Sequence, residues 1–256
     1  MNPAEVLILS IVEGITEFLP VSSTGHLILT AFLLKIPQSN FLTTFEIVIQ
    51  LGAISAVLVI YGKSLWNNLK LWPLLIIGFL PSALTGLLLY KFIKKYLLVN
   101  PFIPVITLFI GGIILIFLEK FLNKRKRELS IQNLDIKKSF YIGLFQTLSV
   151  IPGVSRSAAT IIGGMIFGMT RKSSAEFSFL LAIPTIFGAT ALDLMESNFQ
   201  FNASETILLI SGIILSFISA LIGIKLLITF VERNSFVFFG IYRIIFSILF
   251  YILFLK

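Results

Sequence analysis

The stretch EGITEFLPVSSTGH, residues 13–26, interrupts a chain that is otherwise almost continuously apolar. It brings two glutamates, a proline, several hydroxyl side chains and a histidine into one short segment. A second interruption, IPGVSRSAAT, covers residues 151–160. An ionisable side chain at bilayer depth costs at least about 2.5 kcal/mol on insertion scales. Both stretches are therefore interpreted as parts of a functional site inside a membrane.

The composition is that of a protein that crosses the bilayer several times. Of 256 residues, 57% are hydrophobic and only 12% are charged, about half the charged fraction of a soluble domain. The absence of cysteine excludes disulfides, thiolate metal sites and a cysteine nucleophile. The net charge of +8 is interpreted as loop charge that sets topology, and no nucleic-acid partner is expected. The N-terminal segment lacks the basic region of a signal peptide and is expected to be retained.

Six segments are long and apolar enough to span a hydrocarbon core of about 30 Å. They are predicted at Phe41–Tyr61, Trp72–Phe92, Phe102–Leu118, Ala175–Leu194, Thr206–Phe230 and Phe236–Leu255. Residues 3–34 and 139–170 are apolar at both ends and broken in the middle, which predicts two re-entrant helical hairpins. The predicted fold class is therefore an all-α polytopic membrane protein that forms a single integral membrane domain.

The order of these segments predicts two inverted repeats, each a re-entrant helical hairpin followed by three transmembrane helices. Pro20 aligns with Pro152 and Ser23 with Ser155, each pair 132 residues apart. An odd number of spans per repeat would invert the second copy, so that the hairpins enter from opposite faces and meet near the midplane. Repeat 1, the linker and repeat 2 are predicted at about residues 1–118, 119–138 and 139–256.

Basic residues are distributed unequally between the two faces of this arrangement. Twelve fall on the linker side: Lys63, Lys70, Lys120, Lys124, Arg125, Lys126, Arg127, Lys137, Lys138, Arg171, Lys172 and Arg233. Five fall on the other side: Lys35, Lys91, Lys94, Lys95 and Lys256. Because basic loops stay in the cytoplasm, the linker is predicted to be cytoplasmic, both termini outside, and the first hairpin open to the outside.

The first interruption combines carboxylates with hydroxyls and a histidine. Glu13 and Glu17 are four residues apart and share one face of a helix. Two such carboxylates cannot both ionise cheaply, so one should keep its proton unless a cation lies between them. A hydroxyl nucleophile needs a nearby base, and Ser23 has His26 and both glutamates within ten residues. The alternative is a solvated helix end whose serine and threonine side chains, Ser22, Ser23 and Thr24, act as helix caps.

The second interruption is typical of an anion site. Pro152 and Gly153 predict a turn, after which Ser155, Arg156 and Ser157 occupy the first turn of a helix. Free N–H groups and the helix dipole favour an anion there, and the planar guanidinium suits phosphate oxygens. The alternative is an arginine at the membrane interface, with serines that only cap the helix. A phosphate-binding site is favoured over this alternative.

Three further polar residues, Gln50, Glu176 and Arg243, lie in or at the ends of predicted spans. Each could form an interhelical hydrogen bond or ion pair with a purely structural role. Arg243 could also be a second cation for two phosphates.

Together the two interruptions resemble a known family. The pattern Glu-x-x-x-Glu-Phe-Leu-Pro-x-Ser-Ser-Thr-Gly-His with Pro-Gly-x-Ser-Arg-Ser is similar to that of the bacterial undecaprenyl-diphosphate phosphatases linked to bacitracin resistance. The resemblance covers essentially the full chain, including FEIVIQLGAI, AEFSFLLAIPT and FGIYRI. One departure is Ala158, where the family commonly has glycine; its methyl group could narrow the approach of the backbone to phosphate.

The resemblance implies an integral enzyme of the bacterial plasma membrane. It implies hydrolysis of a polyprenyl diphosphate, undecaprenyl diphosphate, to the monophosphate and inorganic phosphate, which recycles the lipid carrier for peptidoglycan synthesis. It also implies a pocket that opens to the extracytoplasmic side. The implied catalytic residues are Glu13, Glu17, Ser23, His26 and Arg156, and the implied substrate-binding residues are Ser22, Thr24, Gln50, Ser155, Ser157, Thr160 and Arg243.

The implied cofactor is a divalent cation, Mg²⁺ or Ca²⁺, with Glu13 and Glu17 as its ligands, and no organic cofactor is expected. The residues leave open whether Ser23 attacks phosphorus itself or binds phosphate while water attacks. They also leave open whether the protein forms a homodimer.

Two other functions are weighed against this one. A second class of lipid phosphatases uses two histidines, which is excluded because His26 is the only histidine in the chain. The non-enzymatic alternative is a lipid-carrier flippase or a secondary transporter, which would equally suit inverted repeats with an anion site at the midplane.

Overall fold

The computed structural model describes residues 1–122, 127–196 and 201–256. Within these ranges, six helices are long and apolar enough to cross a membrane: Asn40–Asn67, Leu71–Leu97, Phe102–Leu122, Arg171–Glu196, Ala203–Val231 and Val237–Leu255. The six predicted spans and the all-helical fold class are therefore confirmed. The predicted cationic run at Lys124, Arg125 and Lys126 lies outside the described residues.

The described chain forms eleven α-helices. They are α1 (Pro3–Thr16), α2 (Ser23–Leu33), α3 (Asn40–Val48), α4 (Gln50–Asn67), α5 (Leu71–Phe92), α6 (Phe102–Leu122), α7 (Ile136–Thr147), α8 (Arg156–Ile166), α9 (Arg171–Glu196), α10 (Ala203–Arg233) and α11 (Val237–Phe250). Helices α3 and α4 together make the first long span. Two helices, α5 and α11, end in wider π-helical turns at Ile93–Leu97 and Tyr251–Leu255.

Two pairs of short helices occupy the predicted hairpin regions. The 14 residues of α1 and the 11 residues of α2 correspond to about 21 and 16 Å of helix, less than the thickness of the hydrocarbon core. The same holds for α7 and α8, with 12 and 11 residues. Each pair breaks where Pro and small polar residues interrupt the apolar pattern.

The serines that end the two turns share a backbone conformation, but the turns differ in length. Ser22 and Ser155 each precede the second helix of a pair, with left-handed φ angles of 71° and 76°. Each caps that helix with its side chain. These serines are 133 residues apart, so the predicted alignment of Ser23 with Ser155 is wrong by one residue. The reason is that the second turn has one more residue between its proline and its capping serine.

Close helix packing holds the first helix of each pair against a long span. Gly14 on α1 faces the Ser216 carbonyl and Ser219 on α10, and a methyl group there would collide with the backbone. Gly143 on α7 faces the Gly78 carbonyl on α5 with equally little space. Small residues at these crossings let the helix backbones approach closely, as is common in membranes.

The ends of the long helices define two faces of the molecule. At one face, Asn67, Leu71, Ile131 and Lys137 line a common depression, so the linker side holds the end of α4 and the start of α5. Arg171 at the start of α9 also pairs there with Glu119, near the end of α6. Helices α5 and α9 therefore both run from the linker face to the opposite face.

Candidate functional site

A cavity of about 430 Å³ lies between α5, α9 and the tips of the two short-helix pairs. Seven of the twelve predicted site residues line it: Glu17, Ser22, Ser23, Thr24, Gln50, Ser155 and Arg156. The other five lie behind this lining: Glu13, His26, Ser157, Thr160 and Arg243. The two motifs, which are far apart in the chain, therefore form one polar wall.

An ion pair between Arg156 and Glu17 joins the two motifs. The Arg156 Nη2 atom donates to Glu17 Oε1 at 2.9 Å, and the side chains are only 9% and 6% exposed. The Nη1 atom donates to the backbone carbonyl of Ser178 on α9 at 2.7 Å. Because one guanidinium is fixed on two sides, its orientation toward the cavity is restricted.

Ser23 uses the other oxygen of the same carboxylate. Its hydroxyl, in the first turn of α2, donates to Glu17 Oε2. Glu17 therefore contacts a cation through one oxygen and a hydroxyl through the other. This is the geometry of a nucleophile beside a base that can accept its proton.

Glu13 lies one helical turn before Glu17, outside the cavity lining. It is fully buried, and neither carboxylate oxygen has a hydrogen-bond donor among the described residues. Glu17 and Glu46 both interact with it electrostatically. Glu46, buried on α3, is a third carboxylate that the sequence analysis missed, although a glutamate inside a predicted span was a signal for it.

The His26 ring is turned away from Ser23 and Glu17. Its Nδ1 atom lies 2.8 Å from the Ser22 carbonyl, and its Nε2 atom lies 2.8 Å from the Tyr242 hydroxyl. A carbonyl only accepts, so Nδ1 carries the proton in the neutral ring and Nε2 accepts from Tyr242. Phe246 stacks on the ring at 4.7 Å between centroids. The predicted acid/base group thus has no direct contact with the predicted nucleophile.

The remaining serines tie the two turns together. The Ser22 hydroxyl accepts from the backbone N–H groups of Gly25 at 3.3 Å and of Gly153 at 3.1 Å. Ser157 donates to the Leu19 carbonyl at 2.8 Å, and Ser155 accepts from the N–H of Ala158 at 3.1 Å. The helix-cap interpretation therefore describes Ser22 and Ser155. Both still line the cavity.

Two further predicted residues differ in their position relative to the cavity. Thr160 is buried behind Arg156, and its hydroxyl lies 2.7 Å from that of Ser178. Gln50 lines the cavity, and its side-chain amide donates to the Glu46 carbonyl at 3.4 Å. Gln50 therefore remains within reach of a ligand, whereas Thr160 packs behind the arginine.

Arg243 does not reach the cavity. It is 1% exposed, and its guanidinium donates to backbone carbonyls of both turns, at 2.6 Å to Gly153, 3.2 Å to Val154 and 3.4 Å to Pro20. Arg243 is predicted to bind phosphate, but in the structure its guanidinium binds backbone carbonyls instead. The physical reason is that the turns leave backbone carbonyls unpaired inside the protein, and the arginine satisfies them.

A polar cluster that the sequence analysis missed also contributes to the lining. The buried Gln146 on α7 donates to the hydroxyls of Ser82 at 2.6 Å and Thr185 at 3.0 Å, both of which line the cavity. Gln146 follows Glu13 by 133 residues, the same spacing as the capping serines. A polar side chain inside the predicted hairpin at 139–170 was the signal for it.

Most of the remaining cavity wall is apolar. Its lining includes Phe79 and Leu87 on α5 and Ile93 in the π-helical turn that follows, together with Ile186 and Leu192 on α9. Small residues, Ala83, Gly86, Gly188 and Ala189, lie between them. A cavity with an anion-binding end and an apolar wall suits an amphiphile with an anionic head and a hydrocarbon tail.

Comparison with known proteins agrees with this chemistry. The profile of the family described as "Bacitracin resistance protein BacA" matches residues 6–249. A protein named undecaprenyl-diphosphatase from Aquifex aeolicus is 49% identical over 255 residues, covering 100% of both chains. Proteins of the same name from Persephonella marina and a Sulfurihydrogenibium species are 48% and 47% identical, each covering 98% or more of both chains. With its two motifs in one cavity wall and relatives matched end to end, this chain belongs to the bacitracin resistance protein BacA family.

Proposed function

We propose that this protein is an undecaprenyl-diphosphatase, which hydrolyses undecaprenyl diphosphate to undecaprenyl phosphate and inorganic phosphate. The observation that carries the proposal is the Ser23–Glu17–Arg156 constellation at the polar end of a cavity with an apolar wall. The similar proteins named above carry this activity in their names. Recycling of the lipid carrier for peptidoglycan synthesis, and through it bacitracin resistance, follows from that reaction.

In the proposed reaction, Ser23 is the nucleophile. Its oxygen forms a bond to the terminal phosphorus while its proton passes to Glu17. The bond from that phosphorus to the bridging oxygen breaks, and undecaprenyl phosphate leaves. The oxygen of a water molecule then bonds to phosphorus and the bond from phosphorus to the Ser23 oxygen breaks. The proton held by Glu17 returns to Ser23, and the water proton leaves with inorganic phosphate. The hydrogen bond from Ser23 to Glu17 supports this order of events.

Arg156 and the starts of α2 and α8 would stabilise the charge of the transferred group. Phosphoryl transfer depends mainly on positioning and on fixed positive charge. Arg156 is held by Glu17 and Ser178 before any substrate binds, so little reorganisation is needed. The N-terminal ends of two helices add the positive ends of their dipoles to the same wall.

We further propose that Glu13, together with Glu17 in the cavity lining, would hold a divalent cation. The two buried oxygens of Glu13 have no donor among the described residues, and Mg²⁺ is commonly bound by one or two carboxylates together with substrate phosphates. A bound Mg²⁺ or Ca²⁺ would neutralise charge on the diphosphate. Chelation should lower phosphate release, and added Mg²⁺ or Ca²⁺ should restore it. Full activity in excess chelator would contradict this role.

We also propose that the two halves are inverted repeats and that the cavity opens to the extracytoplasmic side. The order of two short helices and three long spans occurs twice, and Ser22 and Ser155 repeat one turn conformation. The cavity lining follows α5 from Phe79 to Lys94, toward the face opposite the linker. Since the basic linker is expected in the cytoplasm, that face would be outside.

The test is phosphate release from undecaprenyl or farnesyl diphosphate by the detergent-purified protein. Ser23→Ala, His26→Ala and Arg156→Ala should each lower the rate, whereas Ser211→Ala, at a half-buried serine on α10 outside the cavity lining, should not. Wild-type release no faster than that of Ser23→Ala would overturn the proposal. Movement of the lipid in liposomes without hydrolysis would favour the flippase alternative.

A further inference from the structure

A second polar cluster lies at the far end of the same cavity, near the face opposite the linker. Lys94 Nζ lies 2.5 Å from Asp193 Oδ1, 3.2 Å from the Tyr90 hydroxyl and 3.3 Å from Thr44 Oγ1. Tyr90 donates to the same Asp193 oxygen at 2.6 Å. The cluster thus joins α3, the end of α5 and the end of α9.

The positive partner of this ion pair faces the cavity. Lys94 and Tyr90 are among the lining residues, and Asp193 is not. The Lys94 side chain is 20% exposed, whereas that of Asp193 is fully buried. Among the described residues that line the cavity, Lys94 and Arg156 are the only cations. A ligand in the cavity therefore meets the ammonium before the carboxylate.

The Lys94–Asp193 ion pair also has a geometry that contributes little to the stability of the fold. Both donors share Asp193 Oδ1, and the buried Oδ2 has no hydrogen-bond partner among the described residues. A buried ion pair whose remaining lone pairs are unsatisfied contributes little net stability. Lys94 also lies in the π-helical turn Ile93–Leu97, a distortion that occurs frequently at functional sites.

Lys94 lies far from Arg156 along the cavity. Arg156 contacts Ser178 on α9, and Asp193 follows 15 residues later on the same helix, a rise of about 22 Å. One diphosphate group cannot span that length. Lys94 is therefore placed to meet the head group at a different stage from Arg156, and the wall between them is apolar.

We propose that Lys94 is an outer phosphate subsite, which receives the diphosphate head group at the cavity mouth. Lys94 would exchange the Asp193 carboxylate for phosphate oxygens. It would thereby determine how readily anionic lipids reach Arg156. This inference rests on the proposed function. A cation along the path of an anionic ligand raises its local concentration and its rate of association. Asp193 and Tyr90 hold Lys94 in position when no phosphate is present.

The principal test is the double variant Lys94→Met/Asp193→Asn, which removes the cation without leaving a buried charge unpaired. With farnesyl diphosphate as substrate, we expect kcat/KM to fall about tenfold, while kcat at saturation stays within about twofold. Asp193→Asn alone keeps Lys94 and removes its competitor, so its kcat/KM should equal or exceed that of the wild type. Lys95→Met, in the same turn but outside the lining, is the matched control.

Two kinetic results would overturn the proposal. One is a wild-type kcat/KM in the double variant. The other is an equal loss in Asp193→Asn and in the double variant, because the cluster would then act only by holding helices together.

A binding experiment separates this inference from the proposed function. In an Arg156→Gln protein, inorganic pyrophosphate should still raise the thermal unfolding temperature, and adding Lys94→Met/Asp193→Asn should abolish that rise. Absence of the rise in Arg156→Gln, or its persistence after the further substitutions, would contradict the outer subsite. If the rise behaves as expected but the wild type releases no phosphate, the subsite stands and the proposed function fails.

Discussion

At the scale of single residues, Glu17 is the centre of the site. It lies between the cation of one motif and the hydroxyl of the other, so that both halves of the chain meet at one carboxylate. The sequence predicts that one of the two glutamates keeps its proton unless a cation lies between them. In the structure, Arg156 pairs with Glu17, and Glu13 is buried without a hydrogen-bond donor among the described residues. The two glutamates therefore have different surroundings although they share a helix face.

The first prediction concerns the base. Glu17→Gln keeps the shape of the side chain but cannot accept the Ser23 proton, so phosphate release should fall at least about a hundredfold. The matched control is Glu5→Gln on the same helix, where the carboxylate only caps the exposed helix start. The measurement is kcat with farnesyl diphosphate for both variants. A Glu17→Gln rate within about threefold of the wild type would exclude this carboxylate as the base.

At the scale of helices, the geometry of the site depends on how the two turns are held. Arg243 satisfies carbonyls of both turns from α11, and Ser22 accepts from the N–H of Gly153 across the gap between the pairs. Arg243 lies outside the cavity lining, whereas Ser22 is part of it. The guanidinium therefore supports the two turns without occupying space in the cavity.

The second prediction follows from this support. Arg243→Met should lower the thermal unfolding temperature, because each buried carbonyl left without a donor costs about 1–3 kcal/mol. The control is Arg233→Met, at the exposed end of α10. The protein that remains folded should keep its KM for farnesyl diphosphate while kcat falls. A raised KM at unchanged stability would instead make Arg243 a phosphate ligand.

The third prediction concerns the crossing of α5 and α7. Gly143→Ala would place a methyl group against the Gly78 carbonyl, and overpacking of this kind typically costs about 1–3 kcal/mol. Gly62→Ala is the matched control, because a methyl group on Gly62 would meet nothing within 4 Å. Thermal unfolding in detergent measures both variants. Equal unfolding temperatures would show that the crossing adjusts without cost.

At the scale of the whole molecule, the cavity connects the polar wall to one face. Its lining follows one side of α5, and it ends beside Lys94, whereas the linker lies at the opposite face. Under the proposed function, an amphiphilic substrate would enter from the face that Lys94 occupies. The orientation of the protein in the membrane therefore decides from which leaflet the substrate comes.

The fourth prediction concerns this orientation, and the absence of cysteine makes it simple to test. Lys137→Cys on the linker side should be protected from an impermeant thiol reagent in intact cells, and Lys95→Cys on the opposite side should be labelled. Both residues are exposed in the structure. After the cells are broken open, both variants should react, which serves as the control. The reverse pattern in intact cells would place the cavity mouth in the cytoplasm.

The sequence alone determined the membrane class, the six spans, the two interrupted helix pairs and the residue types of the site. These follow from hydropathy over about 20 residues and from the cost of polar groups in lipid, both of which act locally along the chain. Only the tertiary structure decided that Arg156 pairs with Glu17, that His26 turns toward Tyr242, that Arg243 binds carbonyls, and that Lys94 lines the same cavity as Arg156. Such contacts join residues many positions apart, so they depend on how the helices pack. The spacing of the two turns is 133 residues and not 132, because the backbone conformation shows that Ser22, and not Ser23, is the counterpart of Ser155.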